Sequence, residues 1–571
     1  MKAVVAACAL ACVLFSCGSS RDAGFEDNGS GNGPNGAGPG GGSGFDPNGG
    51  GGGTPLSCKG LAEGTRSSAG CDYYTVTPDI IFDGQGACFA AFITNTWTEP
   101  VTVNVEYDGQ TLDVSKFGYI PKGMGKATKY TPLPNGQIPT GEVAILFLNR
   151  KPGLLPNFVL NLDCPAGVTA AITDRDAATH GTGIGKAFHI TTSAAVAAYD
   201  IYPYGGGQSA MTSATLLLPS TSWDNNYIAV DAYGNGPMKQ PFLQMVARQD
   251  NTQITILPKV DIVGGGGVAP GKQATPSTYT ISKGQVLQLT QDQSLIGSVI
   301  QSSAPIGLFG GKSALGIGGV CCDDTGHQQI PPVRALGSEY IGVRYRNRWD
   351  GQEETPPWRV VGAVNGTTLT WEPSPPPGAP TTLQLGQLVE FNAAGPFVVR
   401  SQDAQHPFYM SAHMTGAGTY DKTETDGRGD PEFVNVIPPG EYLSSYVFFT
   451  DPTYPETNLV LVRTKGPNGF SEVNLDCMGA VKGWQPLGGS GKYEYSRVDL
   501  VRHNFEAQGK CDNGRHEIKS DSPFGLTVWG WGSAATGNVG AGFYTQYVSY
   551  AYPGGANVVP INDVVIPPVV K

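Results

Sequence analysis

The sequence has no long apolar run after residue 16, no stretch of sustained helical periodicity, and only seven histidines in 571 residues. Each shortage excludes something. A helical membrane span needs about 20 consecutive apolar residues, and no later segment approaches that. Without a 3.6-residue pattern the chain does not read as a helical bundle or helical solenoid. Neither G-x-S-x-G nor H-E-x-x-H occurs, and no histidine sits beside an obvious nucleophile, so common hydrolase signatures are missing. Positive charge is also short. There are 36 Lys and Arg against 48 Asp and Glu, a formal charge of -12. An acidic body does not suit nucleic acid or anionic membrane surfaces as partners.

What is present in quantity is glycine and proline, 81 and 44 residues, separated by aromatic and β-branched runs. That composition predicts many short strands and turns. The first residues have a different character. Lys2 precedes an uncharged, mostly apolar run from Ala3 to Phe15, followed by Ser16 and Cys17. The run is long enough for a signal-peptide core and too short for a bilayer span. "LFSC" resembles a lipobox, which makes 1–16 a signal peptide and Cys17 the acylated mature N-terminus. Gly18 in place of Asp after the cysteine points to outer-membrane sorting in a Gram-negative cell. Residues 17–55 follow as a Gly-rich tether, too poor in apolar surface to fold, with a reach of about 35 Å. A lipid, a tether and a folded body form the layout of a surface lipoprotein, and a multiply acylated cysteine anchors stably. Loss of the signal peptide removes only Lys2 among the charges, leaving -13.

Export sets an oxidising compartment. Cys8 and Cys12 leave with the signal peptide and Cys17 carries lipid. Cys58, Cys71, Cys88, Cys164, Cys321, Cys322, Cys477 and Cys511 remain, enough for up to four disulfides. The local candidate pairs are Cys58 with Cys71, Cys88 with Cys164, and Cys477 with Cys511. Cys321 and Cys322 are then left to each other or to other pairs.

The body is too long for one core, and it repeats. "TTSAAVAAYDIYPYGG", "QSSAPIGLFGG", "SQDAQHPFYMSAHMTG" and "KSDSPFGLTVWGWG" align on Ala195, Pro305, Pro407 and Pro523, at steps of 110, 102 and 116 residues. "VARQDNTQITILP" matches "VGAVNGTTLTWEP", and "LLLPSTSWDNNYIAV", "QIPPVRALGSEYIGV" and "VIPPGEYLSSYVFF" form a further set. Such a period is too long for a solenoid repeat or one propeller blade. The expected fold is all-β, with four tandem β-sandwich-like units of roughly 100–115 residues, at 56–207, 208–312, 313–416 and 417–571. The alternative is a closed propeller-like ring with two blades per unit, in which the terminal "VVIPPVVK" supplies a strand to the first unit.

The boxes "DNTQITILP", "GSVIQSSAPIGLFGG", "CCDDTGHQQIPPVRALGSEYIGVRYRNR" and "GDPEFVNVIPPGEYLSSYVFFTDPTYPETNLVLVR" resemble the bacterial IgG Fc-binding protein N-terminal domain family. The resemblance is densest over 216–463. It implies a surface or secreted binding protein and brings no established catalytic residues.

"CCDDTGH", from Cys321 to His327, packs metal-ligand residue types closely together. In the repeat frame it is a loop, and "AGTYDKTETDGRGDPE" (417–432) is its counterpart, with Asp421, Asp426 and Asp430 among its carboxylates. Three readings compete. One is a structural disulfide beside a polar turn. Another is a hard-cation site, Ca2+ by ligand type, on Asp323, Asp324 and the second acidic loop. The third is a zinc-thiolate site with His327. Adjacent cysteines are poor zinc geometry and the compartment is oxidising, so the disulfide is preferred. Loops at matching positions often share a face, which makes Asp323, Asp324, His327, Asp421, Asp426 and Asp430 the binding-loop candidates. "RGD" (Arg428–Asp430) reads as a chance tripeptide. "VRYRNRW" (Val343–Trp349) reads as an alternating cationic strip on a solvated strand face. The resulting expectation is a cell-surface lipoprotein that binds a protein or glycan through its loops, without catalysis and without a required cofactor. The alternative is an exported hydrolase with a metal at Asp323, Asp324 and His327.

Overall fold

The computed structural model describes residue 58 and residues 67–152, 162–233, 239–318, 323–421, 423 and 425–569. The expected signal peptide, Cys17, the tether, Cys321 and Cys322 lie outside the described residues. Every named element is a β-strand or a short 3₁₀ turn, and all the strand pairs are antiparallel. Among the described residues no helix is long and apolar enough to cross a membrane.

One pairing pattern recurs along the chain. In the first sheet group, β1 (Gly70–Thr75), β2 (Phe89–Asn95), β3 (Val101–Tyr107), the long β4 (Phe188–Tyr202) and β5 (Ser213–Leu216) carry it. The N-terminal half of β4 pairs with β1 and β3, and its C-terminal half with β2 and β5. The second group repeats this with β6 (Asp224–Ile228), β7 (Pro241–Ala247), β8 (Thr252–Leu257), the long β9 (Val299–Leu315) and β10 (Asp324–Ile330). In the third group the long strand is interrupted. The group comprises β11 (Glu339–Gly342), β12 (Pro357–Gly362), β13 (Thr367–Glu372), β14 (Phe397–Ser401), β15 (Phe408–Met414) and β16 (Glu432–Asn435). Here β14 takes β11 and β13 as partners, and β15 takes β12 and β16; one further strand in each case, Thr382–Leu383 beside β13 and Leu388–Asn392 beside β12, completes two separate four-stranded sheets. The fourth group has β17 (Leu443–Thr450), β18 (Glu456–Thr464), β19 (Val473–Leu475), the long β20 (Gly514–Trp531) and β21 (Ser549–Pro553).

The best-aligned sequence boxes explain why each long strand changes partners midway. Pro305 and Pro523 sit at the change within β9 and β20, and Pro407 stands in the interruption before β15. Proline cannot donate to a ladder, so it belongs where one set of pairs stops and another starts. Ala195 holds that place in β4. The partner strands shift register there: Asn226 faces Gln301 while Asp224 faces Ile306, and Ser445 faces Lys519 while Leu443 faces Phe524. The halves after the change are almost wholly apolar or glycine, as in "IGLFGG". At Gly310 a Cβ would lie 1.7 Å from the Val230 carbonyl oxygen, so only glycine permits that approach.

The groups close on one another. Apolar cores lie between the first and second groups, the second and third, the third and fourth, and the fourth and first. The last of these packs Phe92, Phe147 and Tyr199 with Phe448, Leu461 and Tyr550. Ser68 N donates to the Ala556 carbonyl at 2.7 Å and fastens the seam. The four short strands β5, β10, β16 and β21 form a central hub in which each touches two of the others. The arrangement is therefore a closed ring and not a tandem row. Two sheets per group, as the ring reading had it, occur only in the third group. Among its described residues the C-terminal box supplies no strand to the first group. Ile566 instead bonds Asn226 through both main-chain polar atoms, and Asn562 reaches the Val333 and Leu336 carbonyls, so this segment lies over the second and third groups. Disulfides join Cys58 to Cys71, Cys88 to Cys164, and Cys477 to Cys511.

Candidate functional site

The hub is polar and buried. Its strands read "SATL", "DTGHQQI", "EFVN" and "SYAYP", and side chains tie them where no shared ladder does. Thr212 Oγ1 donates to the Ser549 carbonyl at 2.7 Å, Ser549 Oγ to the Asp430 carbonyl at 2.7 Å, and Asn435 Nδ2 to the Gln329 carbonyl at 2.8 Å. His327 N reaches Ser213 Oγ at 3.2 Å. Glu432 spans three strands. Its carboxylate accepts from Ser213 Oγ and Phe433 N on one oxygen and from Ala214 N and Ala551 N on the other.

Here the exposed-loop expectation for "CCDDTGH" is corrected. Asp324 and His327 belong to β10 and are each 1 % exposed. His327 Nε2 lies 2.5 Å from Asp200 Oδ1 on β4, and Asp200 Oδ2 accepts from Thr75 Oγ1 at 2.5 Å. Asp323 faces Lys239 instead, at 2.5 Å. Asp323, Asp324 and His327 therefore do not converge as a ligand triad. The reason is the length of the connection. β9 runs to Leu315 and β10 begins at Asp324, so the chain enters the hub within eight residues.

Asp430 is buried as well, and neither of its carboxylate oxygens has a hydrogen-bond partner; Asp324 Oδ2 has none either. Burial drives the Asp324 carboxyl well above the usual range, and Asp430, Glu432 and Asp323 add to the effect. Burial also raises Asp430, against the pull of Arg348. Glu432 is raised by burial despite its four hydrogen bonds. Uncharged carboxyls are how such a centre avoids the cost of unpaired buried charge.

The described residues of the connections from long strand to hub strand, at 203–212, 316–318 and 323, 415–421, 423 and 425–431, and 532–548, lie against one another or against the start of a hub strand. Thr325 N donates to the Met211 carbonyl, Gly416 N to Ile317, Ala534 N to Asp426 and Tyr547 N to Gly427; Gly207 N bonds Thr453 Oγ1. The second and third loops do share a face. Asp421 serves as a turn cap there: Oδ1 accepts from Thr423 Oγ1 at 2.7 Å and Oδ2 from Asp426 N at 2.8 Å. Asp426 Oδ2 accepts from Trp349 Nε1 at 3.1 Å and pairs with Arg428 Nε at 2.9 Å. Because Asp430 is buried and Arg428 is committed to this cluster, the RGD tripeptide is not displayed.

The arginine strip is also corrected. Residues 343–349 are not in a strand. Arg348 and Glu354 form a 2.8 Å pair with both side chains fully buried, and Arg346 pairs with Glu456 and, at 2.7 Å, with Asp499. The Arg346 guanidinium braces the joint between the third and fourth groups, and Arg348, which also bonds Thr415 Oγ1 and the Arg428 carbonyl, ties together parts of the third. They also present Trp349. The Arg348 guanidinium lies 4.8 Å from its ring centre, and Tyr420 stands 6.1 Å away. Both rings are half-buried. Tyr420 is fixed by accepting from Thr355 N at 2.7 Å. An aromatic pair edged by Asp426 and Arg428 is thus the best-formed recognition chemistry on the loop face, and Val539, 49 % exposed, marks the neighbouring loop. Reading by motif missed Trp349 and Tyr420, because they lie in different boxes. The usable signal was the tryptophan that follows the arginines.

The sequence profile of the family described as IgGFc binding protein matches residues 213–530. The chain belongs to the IgGFc-binding family. The match takes in the second, third and fourth groups almost whole and begins at the hub strand β5. No curated protein matches the chain. Membership in this family indicates a binding role.

Proposed function

We propose that this IgGFc-binding family member is a non-enzymatic protein displayed on a cell surface, where it recognises a protein or glycan through the loop face. The supporting observation is the half-buried Trp349–Tyr420 pair with Asp426 and Arg428 at its edge, held by buried ion pairs behind it. Aromatic rings give contact area at small entropic cost, and the flanking charges orient a polar ligand. The 1–16 leader before Cys17 and the Gly-rich 17–55 segment support display through a lipid anchor in an outer membrane.

The test probes residues 56–571 against arrays of glycans and of host- or prey-surface proteins, with antibody Fc as one arm. Binding should fall at least tenfold in Trp349→Ala/Tyr420→Ala with the circular dichroism unchanged. Wild-type binding by that folded variant would end the loop-face assignment. For display, Cys17→Ser should abolish lipid labelling and release the protein from membranes; unchanged membrane fractionation would end the lipoprotein assignment.

A further inference from the structure

The turns of the fourth group bring three zinc-ligand side chains to one place and join a fourth to them through a disulfide. Cys477 follows β19 and Cys511 precedes β20, and their disulfide joins the two turns with a Cα separation of 4.9 Å. The pairing of Leu475 with Ile518 sets the next residues of β19 beside the start of β20. Asp476 N donates to the Glu517 carbonyl at 3.0 Å and Glu517 N to Asp476 Oδ2 at 2.9 Å. His516 Nδ1 lies 2.9 Å from Asp476 Oδ1, and its Nε2 lies 2.8 Å from the Asp512 carbonyl. The ring of Phe448, 5.6 Å away, holds the imidazole from the side. A carboxylate oxygen of Asp476, Sγ of Cys477 and a ring nitrogen of His516 all lie within 4.8 Å of one another. This is the one such group of three among the described residues. The other two described disulfides have no comparable surroundings.

We propose that reduction of Cys477–Cys511 converts this cluster into a mononuclear zinc site, with Cys477 Sγ, Cys511 Sγ, His516 Nδ1 and Asp476 Oδ1 as its four ligands. Zinc takes S, N and O donors tetrahedrally, and Zn–S bonds of about 2.3 Å require the sulfurs to part to about 3.8 Å. Both cysteines are in turns, which can supply that movement. A backbone carbonyl on the second imidazole nitrogen is the support a histidine ligand ordinarily has, since it fixes Nε2 as donor and turns Nδ1 to the metal. The Asp476 side chain, 38 % exposed, gives the ion a path from solvent, while His516 is 5 % exposed. The chemistry balances as follows. A dithiol reductant breaks the S–S bond, becomes a disulfide and passes two electrons and two protons to the cysteines. Zinc then displaces both thiol protons, and any proton shared by His516 and Asp476, into solvent. In the reverse direction a disulfide oxidant takes two electrons from the zinc-bound thiolates and two protons from solvent, leaves as a dithiol, and the reformed Cys477–Cys511 bond releases Zn2+.

The full mature chain is reduced with dithiothreitol, desalted under argon, given Zn2+ and washed, and bound zinc is counted by native mass spectrometry. One equivalent should be retained, against none for the oxidised protein. Co2+ in its place should show thiolate-to-cobalt charge transfer. His516→Gln should lose the ion with at least tenfold weaker affinity, and Cys321→Ser/Cys322→Ser should keep it. Zinc retention unaffected by His516→Gln, or lost in the Cys321/Cys322 variant, would overturn the assignment. Cys511→Ser covers the case in which reduction unfolds the chain. It frees Cys477 beside His516 and Asp476 with no reductant needed. It should bind Zn2+ at least tenfold more tightly than Cys511→Ser/His516→Gln, and equal affinities would equally overturn the proposal.

Discussion

In the second sheet group the chain enters the hub at Asp324, eight residues after the long strand ends. In the third group it leaves the long strand at Met414 and stays outside the hub until Glu432. The two connections are alike in sequence, acidic and glycine-rich. In the short one Asp323 pairs with Lys239, and the chain passes at once into the buried hub strand, where His327 meets Asp200 and Asp324 is left uncharged. In the long one Asp421 and Asp426 stay near solvent, cap a turn and frame Trp349, while Asp430, two residues before the hub strand, is buried. Density of polar chemistry is therefore a poor guide to accessibility in this fold. Nearness to a hub strand decides it, as Asp430 and Asp324 show.

The sharpest way to break the comparison is at His327. His327→Ala leaves Asp200 buried with one partner fewer. The cost should be about 3 kcal/mol or more, read as a lower denaturation midpoint. A midpoint close to wild type would mean that the hub tolerates the loss and that the two connections are energetically alike.

The next effect depends on pH. A carboxyl whose folded pKa is raised keeps its proton in the folded state while the unfolded chain ionises, so stability falls as pH rises between the two values. For Asp324, Asp430 and Glu432 that fall begins near the ordinary carboxylate range, and for Glu441, which burial pushes up to about 9, it continues to about pH 9. Asp430→Asn and Asp324→Asn should therefore raise the melting temperature at pH 8 more than at pH 5. A uniform drop at both pH values would show that the oxygens need their negative charge.

A smaller change is expected at His180, in the first group. Burial opposes its charge, but hydrogen bonds to Asp176 and Asp79 outweigh this and hold the imidazole at about 9. A raised histidine stabilises fully below its unfolded pKa near 6.5, and the benefit is lost as pH rises through about 9. His180→Gln should lower the melting temperature at pH 6 and leave it little changed at pH 10. The smallest effect belongs to the long connection itself. Asp421→Ala, which removes the cap of an open turn, should lower stability by about 1 kcal/mol. A larger loss in urea titration would mean that the turn braces the hub after all.

Much of the outer architecture was legible. Short β runs, glycine turns and the Ser/Ala/Pro boxes gave an all-β chain with recurring strands, because each box marks a real change of pairing partner. The three local cysteine pairs were legible from spacing and compartment. The hub was not. "DTGHQQI" carries no apolar alternation, so a wholly buried strand read as a loop, and its burial depends on hydrogen bonds to β5 and β16, each more than 100 residues distant. The arginines of "VRYRNRW" were misplaced for a similar reason. The Arg346 partners Glu456 and Asp499 lie in another group, and period-two spacing describes a strand that the chain does not form there.

Because the first group shares one core with the second and another with the fourth, no stretch of this chain acquires both of its walls by local folding alone. A chain synthesised only as far as the third group presents two raw apolar flanks, on Phe92 and Phe147 at one end and on Trp358 and Val360 at the other. Both are sealed by the same late-arriving strands. The fourth group therefore acts like the final stave of a cask: until it is seated, each end of the growing protein is a surface that another copy could cover.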